Sequence, residues 1–237
     1  MKFWHLFLIC AALVSCTKSN EDVGAIKGLE YYPLQSGKYV EYDVDSLVYT
    51  ELPKDTLYFK YRMKEKLAEE FTDNQGKRAF RLERYIKRYN PALSYDSMKW
   101  TIKEVCMLSP DQYRILLQDN NTSFTRLIFP VMDKAVWNGN AYNNLPPQNY
   151  TYEYIDQNRD FGGKAFEKCL KVNQLCDTIN LIQFLLEYEC YASGLGLVNK
   201  VYTHLYSKSN ISGGIPVYKR IESGSSYTLT YRSNGYE

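Results

Sequence analysis

The sequence predicts a mainly β protein, a single domain built from an antiparallel, strongly curved sheet or open barrel. Three observations carry this. Tyrosine, which favours strands, occurs 23 times in 237 residues. Long runs alternate apolar and polar side chains with the period of two that a half-buried strand requires. Short clusters of Gly, Pro, Asn and Asp separate those runs, as hairpin turns demand. So many long strands in one chain must curl their sheet or pair it face to face.

The chain opens on a segment outside that domain. Lys2 is a short positive region, residues 3–14 are apolar apart from His5, and Leu13-Val14-Ser15-Cys16 follows. This is a secretory signal of the lipoprotein kind, too short to span a membrane. Residues 1–15 are the expected signal peptide, and Cys16 is the lipidation site that takes palmitate. Residues 16–28, polar and small after the cysteine, read as a flexible tether. The β domain is then residues 29–237.

Within the domain, residues 38–50 alternate cleanly. Tyr39, Glu41, Asp43 and Asp45 point one way, and Val40, Tyr42, Val44 and Ser46 the other, towards the core. Residues 57–71 and 77–88 make two long strands around the turn Asp73-Asn74-Gln75-Gly76. The composition between Met63 and Glu70 also suits a helix, but the flanks alternate as strands do. Residues 100–108, 113–118 and 123–129 follow, with turns at Ser109-Pro110-Asp111-Gln112 and Asp119-Asn120-Asn121. Residues 130–148 hold Gly139, Pro146, Pro147 and several asparagines. They predict a long irregular connection, either functional or covering a sheet edge, with Trp137 as a core plug.

Alternation resumes over 150–155. Residues 165–175 and 181–191 predict a hairpin across 176–180; centred near Ile179, it sets Cys169 opposite Cys190. Gly194 and Gly196 permit a tight bend or a bulge. Residues 197–206 and 227–231 close the series around a Gly- and Ser-rich loop at 209–214.

The mature chain carries 28 basic against 27 acidic side chains. A balance so close argues against nucleic acid as a partner. Cys106, Cys169, Cys176 and Cys190 have no zinc-like spacing. In an oxidising compartment Cys169 and Cys190 are the candidate disulfide, and unpaired buried thiols are the alternative. His204 is the one histidine of the mature chain. Gly194-Leu195-Gly196 precedes a strand and opens no helix, so it lacks the setting of a nucleotide fingerprint. No nucleophile elbow, zinc-protease, calcium-loop or P-loop sequence is present. Glu187 with Glu189, and Glu41 with Asp43 and Asp45, share strand faces; acids at that spacing are expected on a solvated face. The reading is therefore of no enzyme, no catalytic residue, no metal and no cofactor.

Three phrases occur together: Tyr31-Tyr32-Pro33-Leu34 with Gly37-Lys38-Tyr39, Leu127-Ile128-Phe129-Pro130-Val131 with Trp137-Asn138-Gly139-Asn140, and Tyr191-Ala192-Ser193-Gly194-Leu195-Gly196-Leu197-Val198. In this order and spacing they resemble a family of Bacteroidetes outer-membrane lipoproteins that has no assigned activity. The resemblance implies an outer-membrane, lipid-anchored protein of the cell envelope. Glu21-Asp22 after the anchor is similar to the surface-export signal of such lipoproteins, and the periplasmic and surface faces both stay open. Asp-Ser/Thr-aliphatic triplets centred on Ser46, Thr56, Ser97 and Thr178 resemble the O-glycosylation acceptor of Bacteroidetes envelopes. Thr178, in a turn, is expected to be the most accessible, and Ser46, on the core face, the least.

The function expected is a non-catalytic binding or scaffold module of the envelope, held to the membrane by its lipid. The alternative is a carrier or sensor of an apolar ligand, such as a lipid, in the concave face of a half-barrel. The partner is accordingly an envelope protein or an apolar ligand. A filled interior would favour the scaffold, an open apolar groove the carrier.

Overall fold

A computed structural model describes residues 27–52, 54–208 and 214–237. The signal segment, Cys16 and most of the tether lie outside the described residues, as does most of the 209–214 loop. Among the described residues twelve strands form one antiparallel sheet: β1 (Lys38–Thr50), β2 (Asp55–Thr72), β3 (Arg78–Arg88), β4 (Thr101–Pro110), β5 (Arg114–Asp119), β6 (Thr122–Ile128), β7 (Val136–Asn138), β8 (Asn149–Phe161), β9 (Lys164–Asp177), β10 (Gln183–Ala192), β11 (Gly196–Tyr206) and β12 (Ser223–Tyr236). Nearly every strand pairs with its neighbours in sequence, and β1 also pairs with β12. The result is a nearly closed barrel with one unsealed seam, between β6 and β7.

The strand pattern expected from sequence is present, with additions. The stretch between Met63 and Glu70, which also suited a helix, is strand: it pairs with β1 on one side and β3 on the other. Pairing on both edges overrides the local helix preference. Asn120 and Asn121, at φ 46° and 61°, form the two-residue turn between β5 and β6. A turn of the same kind at Gly162-Gly163, φ 60° and 75°, was not anticipated. It lets β8 run on to Phe161, well past residue 155. Tyr154 and Asp156 at φ 56° interrupt the alternation there, where the register to β9 shifts.

Val40, Tyr42 and Val44 face inward, as the alternation requires, and are buried. Their outward neighbours form an ion-pair lattice. Asp43 meets Arg62 at 3.2 Å and Arg232 at 3.3 Å, and Asp45 meets Lys60 at 3.7 Å. A lipid-facing wall has to be apolar, so these strands present a water-facing exterior. Residues 27–34 cork one end. Lys27 accepts from the Val131 amide at 2.9 Å, Glu30 accepts from the Gly194 amide at 2.8 Å, and the buried Tyr31 donates to Asp156 at 2.7 Å.

The seam is held largely by side chains. The connection between β6 and β8 covers the β6 edge, one of the two roles open to it, and contains the short strand β7. Thr125 of β6 donates its amide to Gly139 (2.8 Å) and accepts from the Trp137 indole (3.0 Å). Trp137 is indeed a buried plug, its ring 4.5 Å from that of Tyr152 and 5.8 Å from that of Tyr150. Asn143 donates to the Ser123 carbonyl at 2.8 Å. The Tyr152 hydroxyl accepts from the Ile128 amide (2.8 Å) and donates to the Ile128 carbonyl (2.7 Å). One side chain thus satisfies both backbone groups that Ile128 turns to the seam, where it has β5 on one side and no strand on the other.

Tyr152→Phe should therefore lower stability by about 1–3 kcal/mol, the cost of leaving buried backbone groups unpaired. Urea unfolding measures this. A change within about 0.5 kcal/mol, the range of ordinary surface substitutions, would show that the seam does not depend on this hydroxyl.

Candidate functional site

Much of the lumen is filled by the apolar core, but a cavity of about 310 Å³ remains. Its walls carry Glu65 of β2, Arg84 of β3, Lys103 and Glu104 of β4, Asp119 of β5, Arg126 of β6 and Lys200 of β11. Met63, Leu197, Leu229, Tyr202 and Tyr227 complete it. Register places these charges inside. Val40 lies opposite Glu65, Glu65 opposite Arg84, and Arg84 opposite Glu104, so all share the face of Val40.

Two of the cations arrive by a different route. Between β5 and β6, Ile115 faces Leu127 while Leu116 faces Thr125, which leaves Arg126 as the extra residue of a β-bulge. Between β3 and β4, Arg84 faces Glu104 while Tyr85 faces Ile102, which leaves Lys103 extra. A bulge re-aims the side chain it carries.

The charges fall into two groups. In one, the Arg84 guanidinium gathers three carboxylates: Glu65 at 2.7 Å, Asp119 at 2.8 Å and Glu104 at 3.2 Å. Lys103 approaches Glu104 at 3.4 Å. In the other, Glu189 of β10 is fully buried and is bonded by Arg126, by Lys200 at 3.0 Å and by the Tyr191 hydroxyl at 2.6 Å. Burial alone would raise the Glu189 carboxyl, but Arg126 and then Lys200 outweigh it and hold it at about 2. The Arg126 Nε is buried with no partner among the described residues. Cys106, on the lumenal face, is pushed up to about 11 by burial, so its sulfur stays a thiol. The arrangement offers fixed charges and aromatic walls, with each carboxylate already engaged by a cation.

Sequence reading missed this site, and its expectation for Glu187 and Glu189 is corrected. Both point into the lumen rather than to solvent; Glu187 meets His204 at 2.6 Å, and the His204 ring stacks on Tyr202. The solvated-face reading holds for Glu41, Asp43 and Asp45. The bulges hid Arg126 and Lys103, because an extra residue breaks the period of two. A concave apolar groove was the feature expected of a carrier; the lumenal cavity is charged instead.

The other expected sites lie elsewhere. Cys169 and Cys190 are on adjacent strands and the same outer face, yet both are free thiols, as is Cys176. Cys169 faces Ala192 and Cys190 faces Lys171, which makes the two cysteines diagonal rather than opposite. The hairpin is centred near Leu181 rather than Ile179, and Gln174 is an extra residue in β9. The two are on neighbouring strands as expected, but they are not the opposite pair expected, and no disulfide joins them. Among the glycosylation candidates Thr56 and Ser97 are exposed, while Ser46 and Thr178 are half-buried. Thr178 does sit in the β9–β10 connection, but it is not the most accessible of the four.

No family model, curated protein or solved structure matches the chain.

Glu189→Ala leaves two buried cations without their carboxylate and should cost about 3–5 kcal/mol in urea unfolding. The folded carboxyl sits below its ordinary value of 4.5. Its stabilisation is therefore complete above about pH 4.5 and is lost as the pH falls through about 2. Glu189→Gln should flatten that acid-side loss. Parallel pH profiles for wild type and Glu189→Gln would show that Glu189 is not the group responsible.

Proposed function

We propose that the chain is a lipid-anchored, non-catalytic binding module of the outer membrane, and that its binding site is the charged lumenal cavity. The observation that carries the binding site is the cavity itself, a space of about 310 Å³ lined by ions beside the apolar core of the barrel. Natural cores exclude such groups unless they are paired or used. The non-catalytic reading is supported by the state of the reactive groups. Arg84 ties up Glu65, Glu104 and Asp119, and the Cys106 thiol stays protonated. The anchor is supported by Leu13-Val14-Ser15-Cys16 and by the family resemblance of the mature chain. The charged exterior suits a barrel held beside a membrane rather than within it. An apolar cargo would have to displace water from these charges without pairing them, which disfavours the lipid-carrier alternative.

Two measurements test this reading. Protein extracted from envelopes in mild detergent should retain a small polar molecule under native mass spectrometry. Lys103→Trp, which sets an indole at the exposed rim of the cavity, should release it. Equal retention by the variant places the ligand elsewhere.

The second is the intact mass of the envelope form. It should equal the polypeptide from Cys16 plus lipid, and Cys16→Ala should abolish palmitate labelling. Any glycan should fall on Thr56 and Ser97 before Ser46 and Thr178. A variant that stays with membranes after a high-salt wash rules out Cys16 as the anchor.

A further inference from the structure

From the distribution of charge in the cavity we infer the class of ligand: a small zwitterion with a primary ammonium and a carboxylate, an α-amino acid or a short peptide. The inference rests on the lumen being the binding site. It starts from the imbalance of each charge group. On the β2–β5 wall three carboxylates share Arg84 and Lys103, which leaves one negative charge in excess. On β6 and β11, Arg126 and Lys200 share Glu189 of β10, which leaves one positive charge in excess. Over these eight side chains the charge is neutral in sum but divided between the two groups.

Excess charge in a part-buried site is costly unless a counter-charge meets it. A lone anion would answer only the Arg126 and Lys200 wall, and a lone cation only the carboxylate wall. A neutral sugar would answer neither. A zwitterion answers both, with its ammonium towards Glu104 and Asp119 and its carboxylate towards Lys200 and Arg126, which line the cavity. At about 310 Å³ the cavity lies at the lower end of ligand pockets, which run from about 300 to 1,000 Å³. That size suits a molecule of amino-acid or dipeptide dimensions. Tyr202, Tyr227 and Met63 offer ring and thioether surface to the ligand's side chain.

The test is isothermal titration of the whole chain in detergent with four probes: L-leucine with alanyl-alanine, N-acetyl-leucine, leucine amide, and glucose. At least one member of the zwitterionic pair should bind. Removing the ammonium by acetylation, or the carboxylate by amidation, should each weaken binding about tenfold or more, the scale of a lost charged hydrogen bond. Asp119→Asn should weaken the zwitterion and the amide and leave N-acetyl-leucine unchanged. Should glucose or either blocked form bind as tightly as the zwitterion and be released by Lys103→Trp, the lumenal site stands and the zwitterion inference fails. Should no probe bind, the zwitterion inference fails. Binding indifferent to both variants overturns the lumenal reading together with it. The comparison of probes on unaltered protein keeps the outcome decisive even where a variant does not fold.

Discussion

The ion pair between Arg126 and Glu189 is the interaction on which the rest of the lumen depends. Twelve strands linked in chain order leave one gap, because the first and last strands pair and the middle of the chain has to meet itself. Arg126 stands on the strand at one lip of that gap. Glu189 stands on β10, beyond β7, β8 and β9 at the other lip. Their bond crosses the interior behind the seam. Backbone pairing is sparse there, and Trp137, Asn143 and Tyr152 supply hydrogen bonds in its place. A fully buried carboxylate is tolerable only where cations and a hydroxyl meet it, and Arg126, Lys200 and Tyr191 do so.

The same pair shapes the cavity. Arg126 spends its guanidinium on Glu189 and its Nε is buried without a partner among the described residues, while the residue also lines the cavity. Arg84, holding three carboxylates, forms the other charge group of the cavity. Packing and polarity are thus divided between parts of one lumen. Tyr31, Val40, Leu67 and Leu82 fill the corked part, and ions surround the remaining space. A barrel stabilised by burial alone would place aliphatic residues at both. The ionic half contributes little net stability compared with an apolar core, which is the physical ground for proposing it as the binding site.

Much of the fold was legible in the sequence because its signals are local. Alternation from Lys38 to Thr50 marked β1 and its inward face, and Asp119-Asn120-Asn121 marked a turn, in which both asparagines take positive φ. The site was far less legible. Glu189 looks like a solvated acid from its spacing to Glu187, and only the register to Lys200 and the reach of Arg126 reveal its burial. Arg126 and Lys103 sit in bulges, where the period of two fails. The cysteine pairing depended on where one hairpin turns, and a displacement of that centre together with one extra residue, Gln174, was enough to make opposite neighbours diagonal ones. Long-range geometry, rather than residue type, decides all three.

The most direct test of the account is the coupling energy between Arg126 and Glu189, from a double-mutant cycle of Arg126→Met and Glu189→Gln in urea unfolding. Contacting charged groups show couplings of about 0.5–3 kcal/mol. The account predicts about 2 kcal/mol or more, with the double variant more stable than the two single changes imply. A coupling below about 0.5 kcal/mol would mean that the two residues act independently, and that the seam and the lumen are held by something else.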